Sequence, residues 1–271
     1  MVQKQDLVIF NDRTVLPDFK NHGHTLTHIT HKLGTSPTWL LTALIETHIH
    51  GVPLSLNESE KSNGKIPIVN KSPIYISSFI HNESYSEQHF QNKISPQSGY
   101  YILPNLMEEI MKCTINTHNN GNNFDGLCSY ILKMLKVKKE EQEQQTTIIL
   151  EEPQLLLALI PNLKARDILL KLITPISQIF QRVIVVTNIE LYDNDATAES
   201  IEIKKFIQTI FYRSIVQLSL KPLETGRAND VTGTLRITRG GCASAVDNTT
   251  FVVENEYLYH VQKKSIKLFY R

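Results

Sequence analysis

The chain has 271 residues, of which 41% are apolar and 20% are charged, and its formal net charge is +1. These values are typical of a globular protein with a sizeable core, and the small net charge indicates that contact with a polyanion would depend on a local basic patch. No apolar run approaches the ~20 residues of a membrane span, and the amino terminus lacks a signal-peptide core. Three scattered cysteines fit reduced thiols. We therefore expect a cytoplasmic and nuclear protein without a membrane partner.

The first part of the sequence predicts a strand, a tight turn and a helix. Residues 25–31 alternate in polarity as a strand does, and a shorter strand is predicted at 6–10. Ser36 is the predicted N-cap and Pro37 the first residue of an apolar helix that ends near Gly51. A strand, turn and helix in this order form the geometry in which proteins commonly cradle phosphates.

The turn itself, HKLGTSPT at residues 31–38, has the wrong residues for that role. A phosphate loop needs several glycines, so that backbone amides can close on the phosphates, and then a Lys and a Ser or Thr at the start of the helix. This turn has one glycine, Gly34; its lysine, Lys32, comes too early, and Pro37 removes an amide. The sequence therefore predicts a degenerate P-loop, which has the position of a phosphate loop without its chemistry.

A second segment, TTIILEEPQLLL at residues 146–157, predicts a strand buried on both faces in a parallel sheet. It ends at Glu151 and Glu152, at the carboxyl end of the strand, where α/β sheets bind ligands and nucleotide hydrolases hold a metal-binding or water-orienting carboxylate. Pro153 then opens a helix, and acids at that position also stabilise the positive end of the helix dipole. The residues leave both interpretations open, so Glu151 and Glu152 are alternative candidates for a cofactor site.

The remaining chain alternates strands and helices and then changes to short strands alone. The predicted strands are 74–80, 100–103 and 182–187; the predicted helices are 104–113, 124–137, 154–171 with an interruption at Pro161, 174–180 with Pro175 at its start, and 199–213. Further short strands are predicted at 215–220, 234–238, 251–254, 256–261 and 266–270. We therefore predict one α/β domain over residues 1–271, a mainly parallel twisted sheet flanked by helices with a carboxy-terminal antiparallel extension.

A group of histidines near the first strand raises the question of a metal site. His22, His24, His28 and His31 lie close together in sequence, but a spacing of four along a strand separates two side chains by ~13 Å, too far to share an ion. No cysteine lies near them, and we predict no metal site.

Several short motifs carry a resemblance that extends along the whole chain. They are QDLVIF at 5–10, LNES at 56–59, SFIH at 78–81, TGRANDVTG at 225–233, RGG at 239–241, VVENEYLY at 252–259 and KLFYR at 267–271. With these motifs the sequence resembles the sixth-subunit family of the fungal Elongator complex, whose members have a RecA-like fold.

The resemblance implies a subunit of an accessory ring. In that family, three related RecA-like subunits form a heterohexamer that attaches to the catalytic Elongator subunits, binds tRNA and serves modification of the wobble uridine, U34. The family subunit has no acetyltransferase or radical chemistry and no working phosphate loop of its own, in agreement with the turn described above. We therefore expect no intrinsic cofactor, and ATP only at interfaces between ring subunits.

Two features of the sequence are candidates for contacts within such an assembly. The helix with Trp39 and Ile45 is apolar enough to present an edge to a ring neighbour or to lie within its own core, and the sequence does not distinguish these. For tRNA, the candidates are Arg227, Arg236 and Arg239, because guanidinium groups bind phosphates without reading the base sequence.

The alternative function is that of a RecA-type ATPase subunit with Glu151 or Glu152 as the hydrolytic carboxylate. That function would require another group to hold the phosphates in place of the missing lysine, for example an arginine from a neighbouring subunit at a composite interface site.

Overall fold

The computed structural model describes residues 24–51, 53–56, 72–91, 100–102, 106, 110–111, 124–140, 146–190, 197–226, 228–242, 252–262 and 265–270. These residues build a nine-stranded sheet. Its strands are β1 (Thr25–His31), β2 (Ile74–Ser78), β3 (Tyr100–Ile102), β4 (Thr147–Glu151), β5 (Arg182–Asn188), β6 (Val216–Pro222), β7 (Gly233–Arg239), β8 (Asn255–Val261) and β9 (Ile266–Tyr270).

The sheet is parallel in its first part and antiparallel in its last. The strand order is β3-β2-β4-β5-β1-β6-β7-β8-β9. Every pairing from β3 across to β6 is parallel, and β6, β7, β8 and β9 then pair antiparallel. The predicted mainly parallel sheet with an antiparallel extension is thus confirmed, whereas its assignment to one domain over residues 1–271 stays a prediction.

Helices cover both faces of the parallel part. They are α1 (Thr38–His50), α2 (Glu83–Ser86), α3 (Phe124–Glu140), α4 (Leu155–Leu159), α5 (Ala165–Ile168), α6 (Thr174–Ile179) and α7 (Ala198–Arg213), with π-helical turns at Glu87–Gln91 and Leu169–Ile173. Within the described part of the chain, none of these helices combines the length and apolarity that crossing a bilayer requires.

Two apolar cores lie on opposite faces of the sheet because side chains alternate along each strand. In β4, Ile149 belongs to the core that contains α1, whereas Ile148 and Leu150 belong to the core that contains α3, α5 and α7. β4 is buried along its whole length, as predicted for a central strand.

Helix α1 is buried on all sides within the first core. Eleven of its residues, from Trp39 to Ile49, are buried. The Trp39 ring lies 4.9 Å from the ring of Tyr259 in β8, measured between centroids, so α1 packs across the antiparallel extension. The structure therefore answers the question that the sequence left open: the apolar surface of α1 lies in its own core and is not an exposed edge.

The helical segment before β5 differs from the prediction at one proline. The predicted interruption near Pro161 is present, but the helix from α5 to α6 runs through Pro175 without a break. A proline ring clashes with the carbonyl four residues earlier and offers no N–H to it. The wider π turn at Leu169–Ile173 accommodates this conflict, and the hydroxyl of Thr174 donates to the Leu169 carbonyl at 2.7 Å.

The strand predicted at 251–254 is wrong for residues 252–254, which precede β8 and pair with no strand. The side chain of Glu254 instead accepts the backbone N–H of Arg239 at 2.9 Å, at the end of β7. The strand predicted at 6–10 and most of the helix predicted at 104–113 lie outside the described residues.

Candidate functional site

The carboxyl ends of four parallel strands bring the predicted acids together with residues that are distant in sequence. In register, Ser78 at the end of β2 lies opposite Glu151 in β4, and His31 at the end of β1 lies opposite Asn188 in β5. We refer to His31, Ser78, His81, Glu151 and Glu152 as the carboxyl-edge cluster.

Glu151 is buried and bound by β2 and the turn that follows it. Its Oε2 accepts the hydroxyl of Ser78 at 2.7 Å and lies 2.9 Å from Nδ1 of His81. The Ser78 hydroxyl oxygen in turn accepts the backbone N–H of His81 at 2.8 Å. This carboxylate is therefore held by a small network of side chains from its own chain.

Glu152 is bound by the neighbouring strands on its other side. Its Oε1 lies 2.6 Å from Nε2 of His31, and its Oε2 accepts the backbone N–H of Asn188 at 3.0 Å and the side-chain amide of Gln154. Glu152 has a φ of 60°, which is uncommon for a residue with a side chain and costs on the order of 1 kcal/mol. Glu152 follows the last residue of β4 and precedes a turn, and from this position its side chain contacts β1 and β5.

These contacts show what each acid binds in the folded chain, and the two interpretations of the acids stay predictions. Both carboxylates bind side chains on neighbouring strands and turns, and both are buried, 7% of Glu151 and 4% of Glu152 being exposed. Their positions match those of a ligand-binding carboxylate, but Oε2 of Glu151 and both oxygens of Glu152 already have partners. Among the described residues, no group of three or more His, Cys, Asp or Glu side chains has a geometry that could hold a metal ion.

The β1–α1 turn is also closed by side chains of the chain itself. The carboxylate of Glu190 accepts the backbone N–H of Leu33 at 2.6 Å. The hydroxyl of Thr35 donates to the Lys32 carbonyl at 2.7 Å and accepts the Lys32 N–H at 3.1 Å. A backbone amide that would face a phosphate in a phosphate loop therefore donates to an internal carboxylate.

The start of α1 lies one residue later than predicted. Pro37, with φ −75°, occupies the N-cap position, and the helix begins at Thr38. The predicted N-cap, Ser36, still accepts the N–H of Thr38 with its hydroxyl, at 3.3 Å. The glycine of the turn, Gly34, has a φ of +84°. The helix ends at Gly51, near where its end was predicted, and this glycine is in the left-handed conformation.

A ladder of three stacked rings extends from the cluster along α2. The ring centroids of His81 and Tyr85 are 3.7 Å apart, and those of Tyr85 and His89 are 4.1 Å apart. The hydroxyl of Tyr85 lies 3.5 Å from that of Thr38 at the start of α1. This ladder was not predicted from the sequence, although the spacing of four between its rings was a usable signal for a helix surface.

The histidines near β1 bind separate partners in the structure. His24 Nδ1 lies 3.0 Å from the Phe180 carbonyl oxygen, His28 Nε2 lies 2.9 Å from the hydroxyl of Thr187, and His31 belongs to the carboxyl-edge cluster. Complete burial lowers the pKa of His28 to about 3, so its ring is neutral in the folded chain. His22 lies outside the described residues.

Two of the three arginines proposed for RNA lie on opposite faces of one strand. Arg227 lies outside the described residues. Arg236 and Arg239 are both exposed on β7, but they are three residues apart, so they extend from opposite faces at positions separated by ~10 Å along the strand. Their role in RNA binding stays a prediction.

The order of the strands in the sheet defines the fold class of this protein as RecA-like. The strand–turn–helix formed by β1 and α1, in which β1 ends at the carboxyl-edge cluster, fits the same class. Two solved structures share the fold at low sequence identity. The flagellar accessory protein FlaH from Methanocaldococcus jannaschii has a TM-score of 0.52 and 12% identity, with 92% of this chain and 91% of that chain covered. An uncharacterised protein from Pyrococcus horikoshii, solved with an unknown peptide, has a TM-score of 0.51 and 9% identity, with 92% and 93% covered.

Sequence comparison gives the particular family. No family model matches the chain. Elongator complex protein 6 from Saccharomyces cerevisiae is 38% identical over 277 aligned positions, which cover 100% of this chain and 99% of that protein. The chain therefore belongs to the Elongator complex protein 6 family.

Proposed function

We propose that this chain is a non-catalytic subunit of the Elongator accessory ring, and that it supports tRNA binding and modification of the wobble uridine, U34. The observation that carries this proposal is the 38% identity to Elongator complex protein 6 along the whole chain. The closed carboxyl edge supports it, because the acids and the turn that would serve an ATPase are bound to internal partners.

Nucleotide binding at this edge would require several internal contacts to break. A phosphate at the β1–α1 turn would have to displace the Glu190 carboxylate from the Leu33 amide. A magnesium ion at the acids would have to displace His31 from Glu152, and Ser78 and His81 from Glu151. The Glu190–Leu33 contact is exposed, whereas the contacts of Glu151 and Glu152 are buried or partly buried. Losing a buried or partly buried contact of this kind costs roughly 1–3 kcal/mol, which disfavours binding of Mg·ATP by this chain alone.

The proposed partners are two related RecA-like Elongator subunits in a heterohexamer, the catalytic Elongator subunits and tRNA, in cytoplasm and nucleus. Because α1 is buried in its own core, the contact with a ring neighbour must use another surface. Leu33 and Ile80 flank the carboxyl-edge cluster and are 57% and 50% exposed. Exposed apolar side chains at this edge fit a protein interface.

Co-expression with the two related subunits tests assembly. We expect a stable complex by size-exclusion chromatography with light scattering, and we expect Leu33→Asp with Ile80→Asp to weaken it. The matched control is Leu170→Asp, which places an acid at another side chain that is 54% exposed. A chain that remains alone beside both subunits would contradict the proposal.

The alternative is an ATPase subunit that acts at a composite interface site, and its basis is the presence of Glu151 and Glu152 at the carboxyl edge. Calorimetric titration of the isolated chain with Mg·ATP separates the two functions. The proposed function predicts no binding, whereas the alternative predicts a measurable affinity that Glu151→Gln changes. ATP at a ring interface, with this chain contributing only an edge, remains compatible with the proposed function.

For tRNA, the proposal assigns phosphate contacts to Arg227, Arg236 and Arg239. Replacing Arg227 and Arg239 by Ala should weaken tRNA binding by the assembled ring. It should also flatten the dependence of the affinity on salt, because fewer phosphate contacts mean that fewer counterions are released on binding. Unchanged affinity and unchanged salt dependence would remove this assignment.

A further inference from the structure

The antiparallel extension has one face in the core and a second face that is exposed at Lys221, Arg236 and Phe269 and half-buried elsewhere. On the inner face, Leu235, Tyr257 and Leu268 are buried in the core that contains α1. Because side chains alternate along a strand, the residues between them must face outward. We define the outer sheet face by the residues Lys221, Thr234, Arg236, Glu256, Leu258, His260, Lys267 and Phe269.

The strand register places these residues side by side. Lys221, Thr234, Leu258 and Phe269 form one row across β6, β7, β8 and β9. His260 and Lys267 are paired in the next row on one side. Arg236 lies two residues from Thr234 on the other side. Since neighbouring strands are ~4.8 Å apart, the row from Lys221 to Phe269 is ~14 Å long.

The outer sheet face is basic and carries an exposed aromatic ring. Lys221 and Arg236 are exposed, and Phe269 is 37% exposed. Among the described residues, no ion pair involves Lys221, Arg236 or Lys267. The outer sheet face has one acid, Glu256, which lies opposite Arg236. It therefore has three cationic side chains, Lys221, Arg236 and Lys267, and one anionic side chain.

We propose that the outer sheet face binds single-stranded RNA, with a base stacked on Phe269 and phosphates held by Lys221, Arg236 and Lys267. This inference rests on the proposed function and deepens it by naming the surface for tRNA. Open sheet faces with an exposed aromatic ring bind unpaired bases by stacking, and cations around the ring bind the backbone. The wobble uridine lies in a single-stranded loop, which offers unpaired bases of this kind.

The charge and the ring together favour RNA over an acidic peptide. An acidic segment would be attracted by the cations, but its acidic side chains have no aromatic plane to cover Phe269 and Leu258. A nucleotide carries both a phosphate and a flat base, and so matches both parts of the surface. The hydroxyl of Thr234, between Lys221 and Leu258, adds a hydrogen-bonding group of the kind that contacts phosphate or sugar.

The test measures binding of a fluorescein-labelled oligouridine to the assembled complex, by anisotropy over a series of salt concentrations. Phe269→Leu keeps an apolar side chain without the ring, and we expect about tenfold weaker binding with an unchanged salt slope. Lys267→Ala should also weaken binding, and should lower the salt slope by about 0.7. The matched controls, Tyr130→Leu and Lys133→Ala on α3, change exposed residues outside this face and should leave both quantities unchanged.

A spectroscopic signal reports stacking directly. The native tryptophan, Trp39, is buried, so Phe269→Trp introduces an exposed indole whose emission oligouridine should quench. Unchanged affinity of Phe269→Leu, or equal binding of duplex RNA with no quenching, would overturn the inference. It would also be overturned if Phe269→Leu and Lys267→Ala prevented assembly while the isolated variants bound oligouridine as tightly as the isolated native chain, since the face would then contact protein.

The same titrations with the isolated full-length chain keep the two proposals apart. If the chain does not join the related subunits but binds oligouridine through Phe269, the proposed function fails and the RNA surface stands. If the complex forms and binds RNA equally well without the Phe269 ring, the RNA surface fails and the proposed function stands.

Discussion

Nε2 of His31 lies 2.6 Å from Oε1 of Glu152, although 121 residues separate them in sequence. This contact connects the end of β1 with the residue after β4, across the intervening strand β5. It occupies the carboxyl edge of the sheet, where α/β proteins bind their ligands. In this chain the contact makes that edge part of the internal hydrogen-bond network.

Removing the Glu152 carboxylate should destabilise the fold without affecting nucleotide binding, which we expect to be absent. Glu152→Ala leaves His31, the Asn188 N–H and the Gln154 amide without an acceptor, and we expect a loss of about 3 kcal/mol in the free energy of unfolding. Urea denaturation measures this as a lower midpoint. The control Glu224→Ala removes an exposed carboxylate and should change stability by less than about 0.5 kcal/mol. Equal midpoints for the two variants would show that the contact does not stabilise the fold.

Stability should decrease as the pH falls below 6.5. Burial lowers the pKa of His28 to about 3 and that of His48 to about 4, both from 6.5. Between these values the unfolded chain binds a proton at each histidine and the folded chain does not, so acid favours unfolding. Each histidine contributes about 1.4 kcal/mol per pH unit, or roughly 2 kcal/mol between pH 6.5 and 5.

His28→Gln tests this assignment, because glutamine can still bind the hydroxyl of Thr187 but does not titrate. The slope of unfolding free energy against pH between 6.5 and 5 should fall by about 1.4 kcal/mol per pH unit. His89→Gln changes an exposed ring and should leave the His28 contribution in place. A slope that is the same in His28→Gln and in the native chain would contradict the buried, neutral state of His28.

The sequence predicted those elements whose signal is local. The alternation of residues 25–31, the uninterrupted β-branched run before Glu151 and the glycine at 51 each specify an element through neighbouring residues alone, and the structure confirms all three. The position of Glu151 and Glu152 at the carboxyl edge follows from the same local pattern together with the parallel sheet.

What binds these acids could not be predicted, because the partners come from distant segments. Nothing in the sequence near Glu190 indicates that its carboxylate accepts the Leu33 amide 157 residues away. Similarly, the distribution of apolar residues around the helix shows that α1 has no polar side. It does not show which strands cover α1. By contrast, the separation of Arg236 and Arg239 onto opposite faces was predictable, since residues three apart on a strand cannot share a face.

The turn that follows β7 should not tolerate a side chain at Gly240. A Cβ there would lie 2.1 Å from the carbonyl oxygen and 2.3 Å from the hydroxyl of Ser214, so backbone would have to move. We expect Gly240→Ala to lower the free energy of unfolding by about 3 kcal/mol, which is at the upper end of the cost of overpacking. Thermal denaturation followed by circular dichroism measures this change. Gly226→Ala is the control, since a Cβ there meets nothing within 4 Å and costs only about 1 kcal/mol for its φ of +88°.

A second substitution at Ser214 identifies the cause of the loss at Gly240. Ser214→Ala removes the hydroxyl but leaves the carbonyl oxygen 2.1 Å from the new Cβ. If backbone crowding is the cause, Gly240→Ala should remain about as destabilising in the Ser214→Ala background as in the native chain. Recovery of most of the lost stability would show that the hydroxyl alone causes the conflict and that the turn adjusts its backbone at little cost.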